Sequence, residues 1–302
     1  MKLLITGAWN DGKNHIAELE AMGHTVVFLQ QESGPLPCPA EEIEGVICNG
    51  LFLYHSLENF TTLRYIQLTS AGYDRVPLEK IREQEIDLHN AGDVYSIPMA
   101  EFAVGGVLQL YKRFGAFREN QKLCRWEKLR DLQEVAGKTV CIIGCGNVGQ
   151  ACAKRFAAFD ARVVGITAHP RKIDGFETIY GAGQMEDVLW ESDIVVLTLP
   201  LTEGTCHLIN EHRLRAMKDT AVLVNISRGG VVDTQALIKA LEEEWISGAV
   251  LDVFEEEPLP AGSALWRMEN VILTPHNSFV GQGNARRLTK RILGQLNALA
   301  ED

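Results

Sequence analysis

Residues 139–167 read TVCIIGCGNVGQACAKRFAAFDARVVGIT: an apolar run, a glycine cluster, an amphipathic stretch and a second apolar run. Gly144, Gly146 and Gly149 follow the first run directly and open the helical pattern, the order of a strand, a tight turn, a helix and a strand. In that order Gly144 permits the turn, Gly146 lets the backbone approach a pyrophosphate, and Gly149 lets the helix pack on the strand. The first helical N–H groups, near Asn147 and Val148, then point at the phosphates. Gly144, Gly146, Asn147, Val148 and Gly149 are therefore the expected pyrophosphate cradle of a dinucleotide.

The same alternation runs along the whole chain. KLLIT, TVVFL, GVIC, YIQLT and IDLHN are strand candidates, with helical spacing in KNHIAELEAM, LENFTTL and PLEKIREQ between them. This first set closes near residue 93. A long apolar helix, SIPMAEFAVGGVLQLYKRF, is expected to begin just after its proline, and a less regular stretch follows to about residue 136. A second series then supplies six strands: TVCIIG, ARVVGIT, IVVLTL, AVLVNIS, GAVLDVF and VILTPH. Alternation of this kind implies parallel sheets with helices on both faces. Two such sheets do not fit one domain, so the expected fold is α/β with two doubly wound parallel-sheet domains. Residues 1–95 with 280–302 form one and residues 96–279 the other; the amphipathic tail NARRLTKRILGQLNALA is expected to return to the first.

Composition narrows the function. With 302 residues the chain is long enough for two cores, and a formal charge of −11 argues against a nucleic-acid partner. The opening MKLLITGAWNDG breaks its apolar run at Gly7, too early for a signal peptide, and no run approaches a membrane span. The seven cysteines are odd in number and contain no C-x-x-C pair, so neither structural disulfides nor a metal site is expected and the expected location is the cytoplasm.

A unit that prefers NAD usually ends its second strand in an acid that takes the ribose hydroxyls. Here that strand runs into Thr167, Ala168, His169, Pro170, Arg171 and Lys172. Threonine can donate to a 2′-phosphate without repelling it, and Arg171 can form charge-assisted bonds with it. NADPH is the expected cofactor, with NAD as the alternative.

Three further segments follow strands of the second series: NISRGGVVD (225–233), LDVFEEEP (251–258) and TPHNSF (274–279). Together with the glycine cluster, LPLTEGTCHLIN (199–210), TSAGYD (69–74) and NAGDVYSIPMAE (90–101), they resemble the D-2-hydroxyacid dehydrogenases, among them the glyoxylate and hydroxypyruvate reductases. The resemblance spans about residues 69 to 280. It implies a flavodoxin-like substrate domain, a Rossmann nucleotide domain, and reduction of a 2-oxo acid to a D-2-hydroxy acid. It also implies roles. Arg228 binds the substrate carboxylate and carbonyl oxygen, suited by its planar fork and permanent charge. His276 is the general acid, and Glu257, the acid before Pro258, bonds its far nitrogen. Asp252 lies beside the nicotinamide; Leu199, Pro200, Thr205 and Ile226 line the cofactor; and the backbone N–H groups of Ala71 and Gly72 meet the substrate carboxylate. Glu255 and Glu256 are expected to be solvated or helix-capping.

Two departures from the family pattern bear on substrate. After His276 the chain reads Asn277-Ser278-Phe279, where small residues are usual, which changes the pocket wall. Members acting on 3-phosphoglycerate carry arginine after the third strand, whereas ICNGLFLYH (47–55) has neither arginine nor lysine. A small unphosphorylated 2-oxo acid fits better, which sets an NAD-dependent phosphoglycerate dehydrogenase second; a non-catalytic dinucleotide sensor comes third, because the Arg228, Glu257 and His276 set is intact. The resemblance also implies a homodimer through the nucleotide domain, using residues 98–135 with Leu108, Tyr111, Phe114, Phe117 and Trp126.

Overall fold

The computed structural model describes residues 1–301 and, to Leu299, their side chains; Asp302, the end of the expected return segment, lies outside the described residues. The chain divides into two compact units, Met1–Tyr95 with the chain from Gly281 on, and Ser96–Val280.

The first unit is a five-stranded parallel sheet ordered β2-β1-β3-β4-β5. Its strands are β1 (Lys2–Thr6), β2 (Thr25–Leu29), β3 (Gly45–Cys48), β4 (Tyr65–Leu68) and β5 (Asp87–His89), with helices α1 (Ile16–Ala21) and α2 (Leu78–Glu83) between them. This is the flavodoxin-like order. Side chains alternate across β1: Leu4 faces a core with Val46, Ile66 and Leu68, while Leu3 and Ile5 face Trp9 and the buried Leu288, Ile292 and Leu296. Those last three come from the terminal helix Asn284–Glu301. Trp9 Nε1 donates to Thr289 Oγ1 at 3.1 Å, and Arg287 and Arg291 donate to the carbonyls of Val94 and Asn90 at 2.7 and 2.8 Å. The stretch LENFTTL, expected as a helix, forms only a 3₁₀ turn at Leu57–Asn59. Thr62 explains why, since its hydroxyl donates to the carbonyls of Glu41 and Ile43 at 2.7 and 3.2 Å and fixes the backbone outside a helix.

The second unit opens with α3 (Ser96–Tyr111), α4 (Phe114–Lys122) and an irregular segment. α3 starts at Ser96 rather than after Pro98, because a proline in the first turn lacks only an N–H that would have no partner there. Gly106 lets α3 press on the sheet: a Cβ there would stand 2.5 Å from Val250 Cγ1. Arg113, at φ 50°, separates α3 from α4, which buries no residue and so shows no apolar stripe in the sequence.

Seven parallel strands follow, not six: β6 (Thr139–Ile143), β7 (Arg162–Thr167), β8 (Thr178–Gly181), β9 (Ile194–Leu197), β10 (Val222–Asn225), β11 (Gly248–Leu251) and β12 (Val271–Leu273). The helices among them are α5 (Asn147–Ala157), α6 (Met185–Glu191), α7 (Glu211–Arg215) and α8 (Thr234–Glu242), and the terminal helix of the first unit is α9. β8 escapes the apolar-run criterion because it is a half-exposed edge strand, TIYG. The order β8-β7-β6-β9-β10-β11-β12 is that of a Rossmann sheet with one added strand. Its direction of winding reverses between β6 and β9, so their C-terminal ends flank the crevice where such sheets bind ligands.

Candidate active site

The glycine cluster sits at that reversal. Gly144 is at φ 101°, and a Cβ on it would come within 2.8 Å of the Thr198 carbonyl carbon; Thr198 Oγ1 donates to Gly144 O at 2.6 Å. The turn after β6 is thereby pressed against the loop that carries Leu199 and Pro200 after β9. A Cβ on Gly149 would overlap the Gly144 carbonyl, so α5 meets the turn backbone to backbone. Gly146 differs. It caps α5, and a Cβ there would meet nothing within 4 Å, leaving open space beside the first-turn N–H groups of Asn147 and Val148.

Thr167 ends β7 and is half-buried; Ala168, His169, Arg171 and Lys172 follow in an exposed loop. The Thr205 hydroxyl is engaged within its own loop, donating to Pro200 O at 2.7 Å and accepting from Thr202 N at 2.7 Å. Ile226 is buried with the core of the unit, so its side chain packs rather than faces solvent. Ala71 and Gly72 belong to the first unit, after β4. Their turn is fixed by Ser70 Oγ donating to Gly72 O at 3.0 Å and Asn90 Nδ2 donating to Ala71 O at 2.7 Å.

Arg228, Glu257 and His276 converge through strand register. Asn225 pairs with Leu251, and Leu251 with Leu273, so β10, β11 and β12 end in one row. The turns leaving that row carry Arg228, Glu257 and His276, and all three line one open cavity of about 400 Å³. His276 Nδ1 lies 2.8 Å from Glu257 Oε2, while Glu257 Oε1 accepts from Phe254 N at 3.0 Å. The carboxylate is therefore anchored on its own turn and aims its second oxygen at the imidazole.

His276 occupies the left-handed region, φ 51°, at a cost of about 1–2 kcal/mol for a side chain with a Cβ. Asp252 secures it there. This fully buried residue accepts from Thr274 Oγ1 (2.6 Å) and Asn277 N (2.7 Å) on one oxygen and from Ser278 N (2.9 Å) on the other; its carbonyl accepts from His276 N at 2.7 Å. Each of the four bonds is to the segment around His276. Phe279, where the segment departs from the family pattern, meets the imidazole edge-on with centroids 6.2 Å apart.

Arg228 is held by Asn225, a fully buried residue that sequence reasoning passed over. Asn225 Oδ1 accepts from Ser227 N and Oγ at 3.1 and 2.8 Å, and its Nδ2 donates to Arg228 O at 3.1 Å. Gly229 then brings two turns together, since a Cβ there would overlap the carbonyl of Phe254. The motif NISRGG carries both signals, a polar residue at a strand end and a glycine pair, although neither names its partner. One more residue of the cavity was missed, His207, whose ring stands 2.6 Å from the carboxylate of Glu255 on the same wall. Glu255 also accepts from Thr234 N at 2.9 Å at the start of α8, so the capping expectation describes one of its two contacts.

Comparisons with known proteins bear on the fold and the family. Residues 104–278 match a family model described as "D-isomer specific 2-hydroxyacid dehydrogenase, NAD binding domain". A glyoxylate reductase of Pyrococcus horikoshii is 41% identical over 228 residues, 72% of this chain and 68% of the relative. Among solved structures, a D-isomer specific 2-hydroxyacid dehydrogenase from Xanthobacter autotrophicus in complex with NADPH and MES superposes with TM-score 0.82 at 29% identity, covering 98% of this chain and 93% of that one. An NAD-complexed D-isomer specific 2-hydroxyacid dehydrogenase from Lactobacillus delbrueckii gives 0.78 at 25% identity, covering 100% and 97%.

Proposed function

The chain belongs to the D-isomer specific 2-hydroxyacid dehydrogenase family, and from that premise we propose that it reduces a small, unphosphorylated 2-oxo acid to the D-2-hydroxy acid, with NADPH preferred over NADH. The observation that carries the reading is the set of Arg228, Glu257 and His276 on one cavity, with imidazole and carboxylate 2.8 Å apart.

When bound, the reduced nicotinamide supplies a hydride to the carbonyl carbon of the substrate. The protein supplies the rest. Arg228 holds the carboxylate and the carbonyl oxygen with a charged, planar fork. Protonated His276 gives its Nε2 proton to the carbonyl oxygen as negative charge develops there. Glu257, on Nδ1, fixes the ring and balances its charge. One hydride and one proton convert the carbonyl group to the alcohol. Gly144, Gly146 and Gly149 with the N-terminus of α5 would hold the pyrophosphate, supported by the open space at Gly146. Thr167 and Arg171 would take the 2′-phosphate, supported by the absence of an acid among residues 167–172. In this reading the Ser96–Val280 unit is the nucleotide domain and the other unit the substrate domain. Asp252 acts mainly by holding the His276 segment.

Glyoxylate and hydroxypyruvate are the proposed substrates to try first, since the Pyrococcus relative is a glyoxylate reductase. The proposal includes a homodimer through the nucleotide domain: Phe114 and Trp126 are 54% and 97% exposed there, whereas Tyr111 is buried in its own unit. Sedimentation at micromolar concentration tests it. The reaction is tested by initial rates of reduced-nicotinamide oxidation with glyoxylate, hydroxypyruvate, pyruvate, longer 2-oxo acids and 3-phosphohydroxypyruvate, each with NADPH and NADH. Turnover of at least one acid with a clear NADPH preference supports the proposal. Turnover confined to a phosphorylated acid with NADH would replace it with the phosphoglycerate reading.

A further inference from the structure

The cavity that carries Glu257 and His276 has a second imidazole and a second carboxylate on its wall. His207 Nε2 stands 2.6 Å from Glu255 Oε1, much as His276 Nδ1 stands 2.8 Å from Glu257 Oε2. The likeness extends to the backbone. Both histidines have positive φ, 48° and 51°. Both carboxylates give their other oxygen to a main-chain N–H, Glu255 to Thr234 at 2.9 Å and Glu257 to Phe254 at 3.0 Å.

We propose, resting on the reductase reading, that His207 and Glu255 are positioning residues for the Glu257–His276 pair, tying the turn that carries Glu257 to the 199–210 loop and to α8. Glu255 lies two residues before Glu257 in the same turn. That turn is braced from below at Gly229, where no Cβ fits against the Phe254 carbonyl. Glu255 braces it from the side, reaching the first residue of α8 and His207. The second anchor is itself fixed: His207 N donates to Gly230 O at 2.8 Å, and Ile209 bridges to Val232. A closed chain of contacts then runs from the Arg228 turn through His207 and Glu255 to Glu257, and so to His276.

Burial works against charge on Glu255, but the bonds from Thr234 and His207 outweigh it and hold the carboxyl below its usual range. A hydrogen bond accepted by that ionised carboxylate is charge-assisted. Glu256, between the two anchored acids, is exposed. Solvent-facing ion pairs contribute little to stability. A pair one residue removed from the carboxylate that orients His276 has another lever, because a misplacement of about 1 Å at a reacting group can cost about a hundredfold in rate.

The test compares wild type with His207→Asn, Glu255→Ala, Glu255→Gln and the double variant His207→Asn/Glu255→Ala, using glyoxylate and NADPH. His207→Asn and Glu255→Ala are expected to lower kcat by about ten- to a hundredfold while the KM for NADPH changes by less than about twofold. Glu255→Gln, whose amide oxygen can still accept from Thr234 N, should recover much of the loss. The double variant should be no worse than Glu255→Ala, as expected of residues that act as a unit. Unchanged kcat, or losses that multiply in the double variant, would overturn the proposal. Amide exchange of residues 252–257 in His207→Asn decides the coupling without any substrate. Faster exchange supports it, and exchange equal to wild type overturns it. Absence of turnover by the wild type would remove the reductase reading while this exchange comparison still stood.

Discussion

Asp252→Asn is the substitution whose cost the structure specifies best. The native carboxylate is fully buried and accepts three hydrogen bonds, from Thr274 Oγ1, Asn277 N and Ser278 N. An amide of the same shape keeps one oxygen for the first two donors and turns an NH₂ toward Ser278 N, placing donor against donor. Bonds to a charged acceptor contribute about 1.5–3 kcal/mol each, and a buried donor left unpaired costs about 1–3 kcal/mol. Ser278 is buried, whereas water reaches Asn277, so a loss of about 2–4 kcal/mol is expected, near the lower bound for one fully lost bond and the weakening of two others. For a unit of this size that lowers Tm by about 4–16 °C. Because the three donors flank His276, activity should fall by more than the unfolded fraction explains. The assay is thermal unfolding followed by kcat at a temperature where the variant is folded. A variant with wild-type Tm and wild-type kcat would refute the assignment of Asp252 as the clamp on the His276 segment.

Gly146→Ala separates folding from cofactor binding: with open space for the methyl group, the free protein should keep its Tm while NADPH binding weakens, as read by nucleotide fluorescence. Equal affinity would mean that the pyrophosphate does not lie there. Thr167→Asp should lower kcat/KM for NADPH relative to NADH by at least about tenfold, since a carboxylate repels a 2′-phosphate and accepts ribose hydroxyls; an unchanged ratio would remove the 167–172 loop from cofactor selection. His24 supplies a pH test of stability. Burial, then the nearby N-terminus, lowers its pKa, and its ring nitrogens have no hydrogen-bond partner. The unfolded chain therefore binds the extra proton first, and stability falls as pH drops below about 6.5. His15, whose pKa is raised mainly by Glu18, acts with the opposite sign. His24→Leu should shrink the loss of urea midpoint between about pH 7.5 and about pH 5.5, the range that spans the ordinary histidine pKa of about 6.5. A pH dependence identical to wild type would contradict this account of His24.

The parts legible in the sequence share a cause. Strands such as TVCII and IVVL are buried on both faces, so continuous apolar runs announce them, and Gly144-x-Gly146-x-x-Gly149 names its own turn. β8 and α4 were missed because each buries little, and period and hydrophobicity report burial. The row formed by Asn225, Leu251 and Leu273 shows why Arg228, Glu257 and His276 reach one cavity. A linear sequence shows each turn following a strand but not the register that aligns them. The pairing of His207 with Glu255 stayed hidden for a similar reason, the two being 48 residues apart and brought together only once three loops meet. Gly229 is legible as a glycine, but the Phe254 carbonyl that requires it is not.

The central claim is that His276 delivers the proton while other groups bind the cofactor. The most direct measurement is the single-turnover rate of glyoxylate reduction by His276→Ala with saturating NADPH, alongside NADPH affinity from nucleotide fluorescence. The account predicts a rate lower by about 10²–10⁴-fold, the contribution typical of a general acid, with affinity within about threefold of wild type, since no part of the proposed pyrophosphate cradle is touched. A single-turnover rate equal to that of the wild type would contradict it.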